Sequence, residues 1–428
     1  MIIYTVQENE TLVDIAAKYG IDQQILSELN GLSSDSVLSN GQSLIISYPK
    51  IVHTVRAGES LWSIAANYGV TVIDLWRNNP YLNGSSRIFT GQTLVVQFDE
   101  VKIGHFNVTA YVYTFVNREI LSRSLPYLSF LAIFSYGIRS DGSLVTPENT
   151  GFPNDMELVS LAREYGVQPM MVLTSLNDSG SFSTETVSAV LSNEAAKSRL
   201  IANIIDTMAA KGYDALNADF EYIAPDDREK YSNFINLLAS ELHNYGYLLD
   251  ISLAPKTSAA QTGLLYEAID YHALGAAADT AFLMTYEWGY KYSEPRAVAP
   301  INLVEQVVNY ALSEIPAQKL LLGMPNYGYD WEIPWQKGQP ARTISNQEAV
   351  LLANEYSSTI MYDSLAASPY FVYSDENGSH EVWFEDARSV NEKLALASRK
   401  KLRGIGIWNA TEWFPQLWAL VNLLYYIR

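Results

Sequence analysis

Apolar segments of two kinds alternate along residues 98–428. Short runs rich in Val, Ile, Leu and Phe predict buried β-strands, and longer segments with apolar residues at helical spacing predict helices. Eight strands separated by helices are typical of an α/β fold, the (β/α)₈ (TIM) barrel, in which helices enclose a closed parallel sheet. The predicted strands are residues 108–115, 128–135, 169–174, 214–221, 248–254, 281–286, 320–324 and 405–408.

One segment between the last two predicted strands interrupts this alternation. Two apolar runs, Tyr370–Tyr373 and Glu381–Phe384, flank Asn377-Gly378, a dipeptide typical of hairpin turns. We therefore predict a small α+β insertion at about residues 340–385. Two interpretations are open: the insertion deepens a cleft at the end of the barrel, or it is a surface hairpin without a function.

The first 97 residues contain the same pattern twice. Ile15-Ala-Ala-Lys-Tyr-Gly20 recurs as Ile64-Ala-Ala-Asn-Tyr-Gly69, and Gly41-Gln-Ser-Leu44 recurs as Gly91-Gln-Thr-Leu94. Each copy predicts a strand, two helices and a closing strand. We therefore predict two small βααβ modules, residues 1–48 and 49–97, before a barrel at residues 98–428. The joints are short and not rich in Gly or Ser, which argues against long flexible tethers.

Charge and residue usage exclude several classes of function. The formal net charge of −19 argues against nucleic acid or an anionic membrane as a partner. The absence of cysteine excludes disulfides and thiol chemistry, and the five histidines include no HxxxH pair. We expect no metal and no other cofactor. The N-terminus lacks a basic segment followed by an apolar one, so no signal peptide is predicted, and no apolar run is long enough for membrane insertion.

The candidate chemistry lies in the fourth predicted strand, Asp214-Ala-Leu-Asn-Ala-Asp-Phe-Glu221. Side chains alternate along a strand, so the polar Asn217, Asp219 and Glu221 share one face. The opposite face is apolar and consists of Leu216, Ala218, Phe220 and Tyr222. Two buried carboxylates without partners would each cost on the order of several kcal/mol. We therefore expect them at a pocket that solvent reaches, rather than in the core or on a solvated edge, because barrel enzymes have their active sites at the carboxyl ends of the strands.

This octet resembles the DxxDxDxE signature of glycoside hydrolase family 18. Asp214, Asp219 and Glu221 match it, and Asn217 occupies a position where many members have Asp. The resemblance extends over residues 103–428.

Two further motifs fit the same resemblance, and one is missing. Met284-Thr-Tyr-Glu287 resembles the family's Met-x-Tyr-Asp motif with Glu in place of Asp, and Trp408 ends the eighth strand, where the family has the Trp that floors the sugar site. The family's SxGG motif is absent from the third strand, where the chain has Thr174-Ser-Leu-Asn177.

The resemblance implies a mechanism in which the substrate's own N-acetyl oxygen is the nucleophile. Glu221 is then the expected general acid, Asp219 the residue that orients the acetamide N–H, and Tyr286 the donor to the acetyl carbonyl. Desolvation and an anionic Asp219 would raise the pKa of Glu221, as a general acid near neutral pH requires. The residues expected to bind substrate are Asn217, Asp214, Met284, Glu287 and Trp408.

The two N-terminal repeats resemble LysM modules along their whole length. That resemblance implies binding to glycans that contain N-acetylglucosamine, through loops beside the first helix and before the last strand; the alternative is that the modules are mere spacers. Val13 matches Trp62 of the second copy, which predicts unequal binding by the two copies. The residues expected to contact glycan are Asn9, Glu10, Thr11, Asn30, Gly58, Glu59, Ser60, Asn79 and Pro80.

Two LysM modules before a family 18 barrel resemble the spore cortex-lytic N-acetylglucosaminidases. The resemblance implies hydrolysis of peptidoglycan after N-acetylglucosamine, action on cortex fragments during germination, and a location at the coat and cortex of the spore. The alternatives are a chitinase and a glycan-binding protein with an inactive barrel, although the presence of both Glu221 and Asp219 argues against the second. The sequence leaves endo or exo action, the required form of muramic acid and the oligomeric state open.

Overall fold

The computed structural model describes residues 1–376 and 378–428. Its first part consists of two modules with the same order of elements, and in each module the two strands pair antiparallel. The first module contains β1 (Ile2–Thr5), α1 (Leu12–Tyr19), α2 (Gln23–Asn30) and β2 (Ser43–Ile46). The second contains β3 (Pro49–Thr54), α3 (Leu61–Tyr68), α4 (Val72–Asn78) and β4 (Thr93–Phe98).

The remaining strands belong to the barrel and to a separate sheet. They are β5 (Gly104–Tyr113), β6 (Phe130–Ile138), β7 (Leu144–Val145), β8 (Gln168–Thr174), β9 (Ala215–Asp219), β10 (Leu248–Leu253), β11 (Thr280–Leu283), β12 (Leu320–Pro325), β13 (Gly328–Ile333), β14 (Arg342–Ile344), β15 (Met361–Asp363), β16 (Ser368–Ser374), β17 (Ser379–Trp383), β18 (Gly404–Trp408) and β19 (Tyr425–Ile427).

The helices of this region lie between these strands. They are α5 (Arg118–Ser124), α6 (Met156–Glu164), α7 (Thr184–Leu191), α8 (Glu194–Lys211), α9 (Arg228–Asn244), α10 (Tyr271–Ala277), α11 (Ile301–Glu314), α12 (Asn346–Glu355), α13 (Ala387–Arg399) and α14 (Pro415–Leu424).

Eight parallel strands close the barrel in the order β5, β6, β8, β9, β10, β11, β12 and β18, and β18 pairs with β5. The predicted (β/α)₈ barrel is thereby confirmed. The final helix, α14, ends at Leu424, because Tyr425–Ile427 forms β19. That strand pairs with β5, and the Tyr425 ring stacks on Phe106 at a centroid distance of 4.0 Å.

The insertion between β12 and β18 is an antiparallel five-stranded sheet in the order β14, β13, β17, β16 and β15, with α12 beside it. It begins at Gly328, earlier than the predicted residue 340. The start of the insertion was missed because β13 follows β12 almost directly, and the sequence pattern did not separate these two strands. The predicted turn residue Asn377 lies outside the described residues. A small apolar core, which includes Phe371 and Val382, holds the insertion together.

Both modules pack directly on the barrel. Leu29 and Ile45 of the first module, and Val95 and Phe98 of the second, are buried in the same apolar cluster as the barrel core. The expectation that the three parts are not joined by long tethers therefore agrees with the packing. Within the described residues, no helix is both long enough and apolar enough to cross a membrane.

Candidate active site

A cleft of about 1410 Å³ opens at the carboxyl ends of the barrel strands. Asp219, Glu221, Met284, Tyr286, Glu287 and Trp408 line it together. The chain brings these six residues from three separate strand ends to one place. Its lining residues include four carboxylates and no Lys, Arg or His, so within the described residues the cleft is acidic.

The alternation of side chains along β9 separates core from cleft. Leu216 and Ala218 are fully buried, and Phe220 packs on the α9 rings of Tyr231 and Phe234. Tyr222 departs from the predicted apolar face: its φ is 57° and it lines the cleft. The strand itself ends at Asp219, so the chain turns after it and the face pattern stops applying.

Asp219 is nearly inaccessible to solvent, and its Oδ1 atom has no hydrogen-bond partner among the described residues. Burial raises the pKa of Asp219, a hydrogen bond with Ser252 opposes that rise, and the charge of Asp250 adds to it. An unpaired buried acceptor costs about 1–3 kcal/mol. Asp219 therefore presents a strong acceptor to whatever donor enters the cleft.

Glu221 lies just beyond the end of β9, half-buried at the cleft surface. Its backbone is held by Ser175 at the end of β8: the Ser175 hydroxyl donates to the Glu221 carbonyl oxygen at 2.9 Å. Burial raises the pKa of Glu221, and the charges of Asp219 and Glu287 raise it further. The carboxyl group therefore keeps its proton at a higher pH than an ordinary glutamate does.

Tyr286 and Trp408 also line the cleft. Burial, together with the nearby charges of Asp219 and Glu221, raises the pKa of Tyr286 well above its usual value, so its hydroxyl stays protonated and can donate. The Trp408 indole meets the rings of Tyr111, Tyr113 and Phe134 edge-on, at centroid distances of 5.7, 5.9 and 5.1 Å. These contacts fix the orientation of the indole at the floor of the cleft.

Glu287 joins the cleft to the insertion. Its carboxylate accepts hydrogen bonds from Tyr327 and from Tyr329, the second at 3.0 Å. Its φ of 69° is in the left-handed region, which costs on the order of 1–3 kcal/mol for a residue other than glycine, and the two tyrosines help to hold it there. A second pocket of about 490 Å³ shares Glu287 and Trp408 with the main cleft and is lined by insertion residues. The interpretation that the insertion extends the cleft is therefore supported.

Two predicted substrate-binding residues lie elsewhere. Asp214 precedes β9 at its amino end, about 23 Å along the chain from Glu221, and forms an ion pair with Arg163 at 2.7 Å. Asn217 is fully buried beneath the cleft; its amide donates to Asp250 at 2.7 Å and to Ser252 at 3.2 Å. The prediction of direct contact with substrate is wrong for both, because Asp214 lies at the amino end of β9, away from the cleft, and Asn217 is hydrogen-bonded to β10 below the level of the cleft. Asn217 is linked to Asp219 through Ser252, which hydrogen-bonds with both side chains.

The predicted glycan-contacting residues of the modules divide into two groups. Asn9, Thr11, Gly58 and Ser60 are exposed on the loop before the first helix of each module, and Glu10 and Glu59 brace those loops by accepting the backbone N–H of Gln7 and of Arg56. Pro80 is half-buried in a single 3₁₀ turn.

Asn30 and Asn79 are buried, so the prediction that they contact glycan is wrong. Each is buried at the end of a helix and donates to two backbone carbonyls, those of Leu26 and Ile45 in the first module and their counterparts in the second. Each amide therefore ties its helix to the closing strand.

Comparison with known proteins agrees with this architecture. The profile named Glycosyl hydrolases family 18 matches residues 92–412, and the LysM domain profile matches residues 4–47 and 53–97.

The chain belongs to glycoside hydrolase family 18.

Individual relatives extend the similarity over the whole chain. The chain is 42% identical over 299 residues to the cortical fragment-lytic enzyme of Bacillus subtilis (strain 168), which covers 69% of this chain and 68% of that protein. It is 33% identical to the putative sporulation-specific glycosylase YdhD of the same organism over 98% of each chain. The crystal structure of the Bacillus cereus spore cortex-lytic enzyme SleL has a TM-score of 0.83 and 35% identity, and the match covers 100% of this chain and 98% of that one.

In this family 18 glycoside hydrolase, four residues around the site were not predicted from the sequence. Ser175 donates a hydrogen bond to the Glu221 carbonyl, and Ser252 forms a hydrogen bond with Asp219. Tyr327 and Tyr329 both donate to the Glu287 carboxylate. Ser175 could have been found, since it stands in Thr174-Ser-Leu-Asn177, where the expected motif is missing. No sequence signal pointed to the other three residues.

Proposed function

We propose that this glycoside hydrolase is an N-acetylglucosaminidase of peptidoglycan that cleaves the glycosidic bond after N-acetylglucosamine by substrate-assisted, retaining catalysis. The observation that carries the proposal is the unpaired buried Oδ1 of Asp219, two residues before Glu221, whose pKa is raised by burial and by the charges of Asp219 and Glu287. Both residues line the same cleft. One sugar ring can therefore reach both carboxyl groups.

In the first step Glu221 donates its proton to the glycosidic oxygen. The C1–O bond breaks as the acetamide carbonyl oxygen of the substrate attacks C1, which gives an oxazolinium ring. Asp219 accepts the acetamide N–H and Tyr286 donates to its carbonyl oxygen, so both hold the group under C1. The raised pKa values of Glu221 and Tyr286 support these roles, because both groups must carry a proton at the start.

In the second step water attacks C1 from the face that the leaving group has left. Glu221, now a carboxylate, accepts the proton of that water, the oxazolinium opens and the acetamide is restored. Two displacements at C1 retain the configuration of the anomeric carbon. Trp408 gives an apolar face on which the pyranose ring stacks.

The relatives support spore cortex as the source of the substrate. The match to a cortical fragment-lytic enzyme covers 69% of this chain, and the match to a spore cortex-lytic enzyme covers all of it, including both modules. We infer that the protein acts on cortex fragments during germination, at the coat and cortex of the spore. The acidic cleft also favours glycan without anionic substituents in the cleaved subsite.

The test compares cortex fragments with the same fragments after chemical de-N-acetylation. The protein should release products from the first and none from the second, because glucosamine has no acetamide nucleophile. Glu221→Gln should bind the acetylated fragments and release nothing from them. Turnover of the de-N-acetylated fragments would rule out substrate assistance. Release from chitin and not from cortex fragments would instead support a chitinase.

A further inference from the structure

The two modules place the same loop at the same position. In each, the loop before the closing strand lies beside the start of the loop before the first helix: the Gly41 N–H donates to the Val6 carbonyl at 2.9 Å, and the Gly91 N–H donates to the Val55 carbonyl at 2.8 Å. These two loops form the face that LysM resemblance associates with glycan. The surroundings of that face differ sharply between the modules.

In the first module the insertion of the barrel covers the loop before the closing strand. The Ile360 N–H donates to the Asn40 carbonyl at 2.9 Å, and the Asn354 amide donates to the Val37 carbonyl at 2.9 Å. Ser39 is only 4% exposed. A Cβ atom on Gly41 would overlap the Ile360 carbonyl oxygen. A glycan strand cannot reach Ser39 and Gly41 without displacing the insertion.

In the second module the part of the loop that matches Ser39 to Gly41 faces solvent. Phe89, which matches Ser39, is 59% exposed, and a Cβ atom on Gly91 would meet nothing within 4 Å. Trp62, at the start of α3, is 75% exposed, whereas its counterpart Val13 is a smaller aliphatic residue.

The second module attaches to the barrel by other residues. Arg77 donates to the Pro126 carbonyl at 2.6 Å, and Trp76 packs on Tyr165. The start of the loop also contacts the barrel: the Asn83 amide donates to Glu119 at 2.6 Å, and the Tyr165 hydroxyl donates to the Gly84 carbonyl at 3.0 Å. These contacts leave Phe89 and Gly91, at the end of the loop, exposed.

We propose that the second module alone holds the glycan strand, and that the first module is a fixed brace for the insertion that extends the catalytic cleft. The inference rests on the proposed function, because it takes the ligand to be a glycan with N-acetylglucosamine. Exposed Trp and Phe rings offer apolar faces to pyranose rings, and the first module has no exposed aromatic ring at the matched positions. The unequal binding that Val13 and Trp62 predicted thus has a structural cause.

Retention is measured by co-sedimentation of the full chain with insoluble peptidoglycan, in a Glu221→Gln background so that nothing is cleaved. Trp62→Ala and Phe89→Ala should each lower the bound fraction several-fold, while Val13→Ala should leave it unchanged. All three side chains are exposed, so thermal unfolding should be unaffected and serves as the folding control. Equal losses in Val13→Ala and Trp62→Ala, or no loss in any variant, would overturn the binding assignment.

A second matched pair tests the brace. Gly41 and Gly91 both have positive φ, 81° and 88°, so replacement by Ala strains both backbones alike. Only Gly41→Ala adds an overlap with the insertion, so it should lower the thermal unfolding midpoint more than Gly91→Ala does. Equal shifts would contradict the brace. Retention and unfolding do not depend on which bond is cleaved, so failure of the proposed function in product analysis is distinguishable from failure here.

Discussion

Asn217→Asp is the replacement that tests the buried support of the site most sharply. It restores the residue that many family 18 members have at this position, but here the neighbouring strand already carries a carboxylate. The Asn217 amide donates to Asp250 at 2.7 Å, and Thr280 donates to the same side chain. The variant replaces a donor by a second buried acceptor with a charge.

The magnitude follows from the separation between the charge centres of two adjacent carboxylates, which is larger than the 2.7 Å between the nearest atoms of Asn217 and Asp250. Two unit charges about 4 Å apart repel by about 4 kcal/mol at an effective dielectric constant of about 20. The protein can avoid this repulsion by protonating Asp250, whose pKa burial already raises to about 6. Protonation of such a group at pH 7 costs about 1.4 kcal/mol. Because protonation costs less than the repulsion, we expect the free energy of unfolding to fall by about 1.4 kcal/mol at pH 7.

Urea unfolding at several pH values measures this loss. The new carboxyl group has a folded-state pKa above its unfolded value, so the penalty is absent below about pH 4 and grows as the pH rises through the folded-state pKa. The control is Asn217→Asp combined with Asp250→Asn, which restores one donor and one acceptor and should recover most of the stability. The same midpoint for wild type and Asn217→Asp at pH 7, or no recovery in the double variant, would refute the reasoning.

Two other replacements and one deletion have distinct expected outcomes. Glu287→Gln removes a charge that raises the pKa of Glu221, so the alkaline limb of the kcat/KM profile should move to lower pH; a shift to higher pH would contradict this. Tyr286→Phe removes a donor to the acetamide carbonyl and should lower kcat by about 10²–10³ with little change in KM, as seen for comparable donors; an effect confined to KM in steady-state assays would argue against the role. Deletion of residues 1–48 uncovers apolar surface of the barrel that Leu29 and Ile45 cover, so calorimetry should show a lower unfolding temperature. An unchanged unfolding temperature would show that the first module does not stabilise the barrel.

The barrel and the modules were predictable because their signals are local. Strand and helix periods are short, and the repeat of Gly20 and Gly69 marks helix ends that the structure shows in the left-handed conformation. The inward position of Asp219 was also within reach, because alternation along one strand decides which side chains face inward. The position of Glu221 in the cleft depends on the turn that follows β9.

Other parts of the site depend on pairing between distant strands. Asp250 faces Asn217 only because β10 is in register with β9 at that pair, and the register cannot be read from either strand alone. Tyr329 reaches Glu287 only through the fold of the insertion.

Asn30 and Asn79 show a different limit. A polar residue before a loop looks like a ligand contact, and the sequence does not reveal that its amide is turned inward. Asp214 illustrates the same problem along one strand, since a motif position does not say at which end of the barrel its side chain lies.

Mass spectrometry of the reducing ends of products from purified cortex fragments tests the central claim most directly. If the acetamide of the bound sugar is the nucleophile, fragments should end in reducing N-acetylglucosamine, and these should be absent when Glu221→Gln replaces the wild type. Fragments that end in reducing muramic acid would contradict the account and indicate a muramidase.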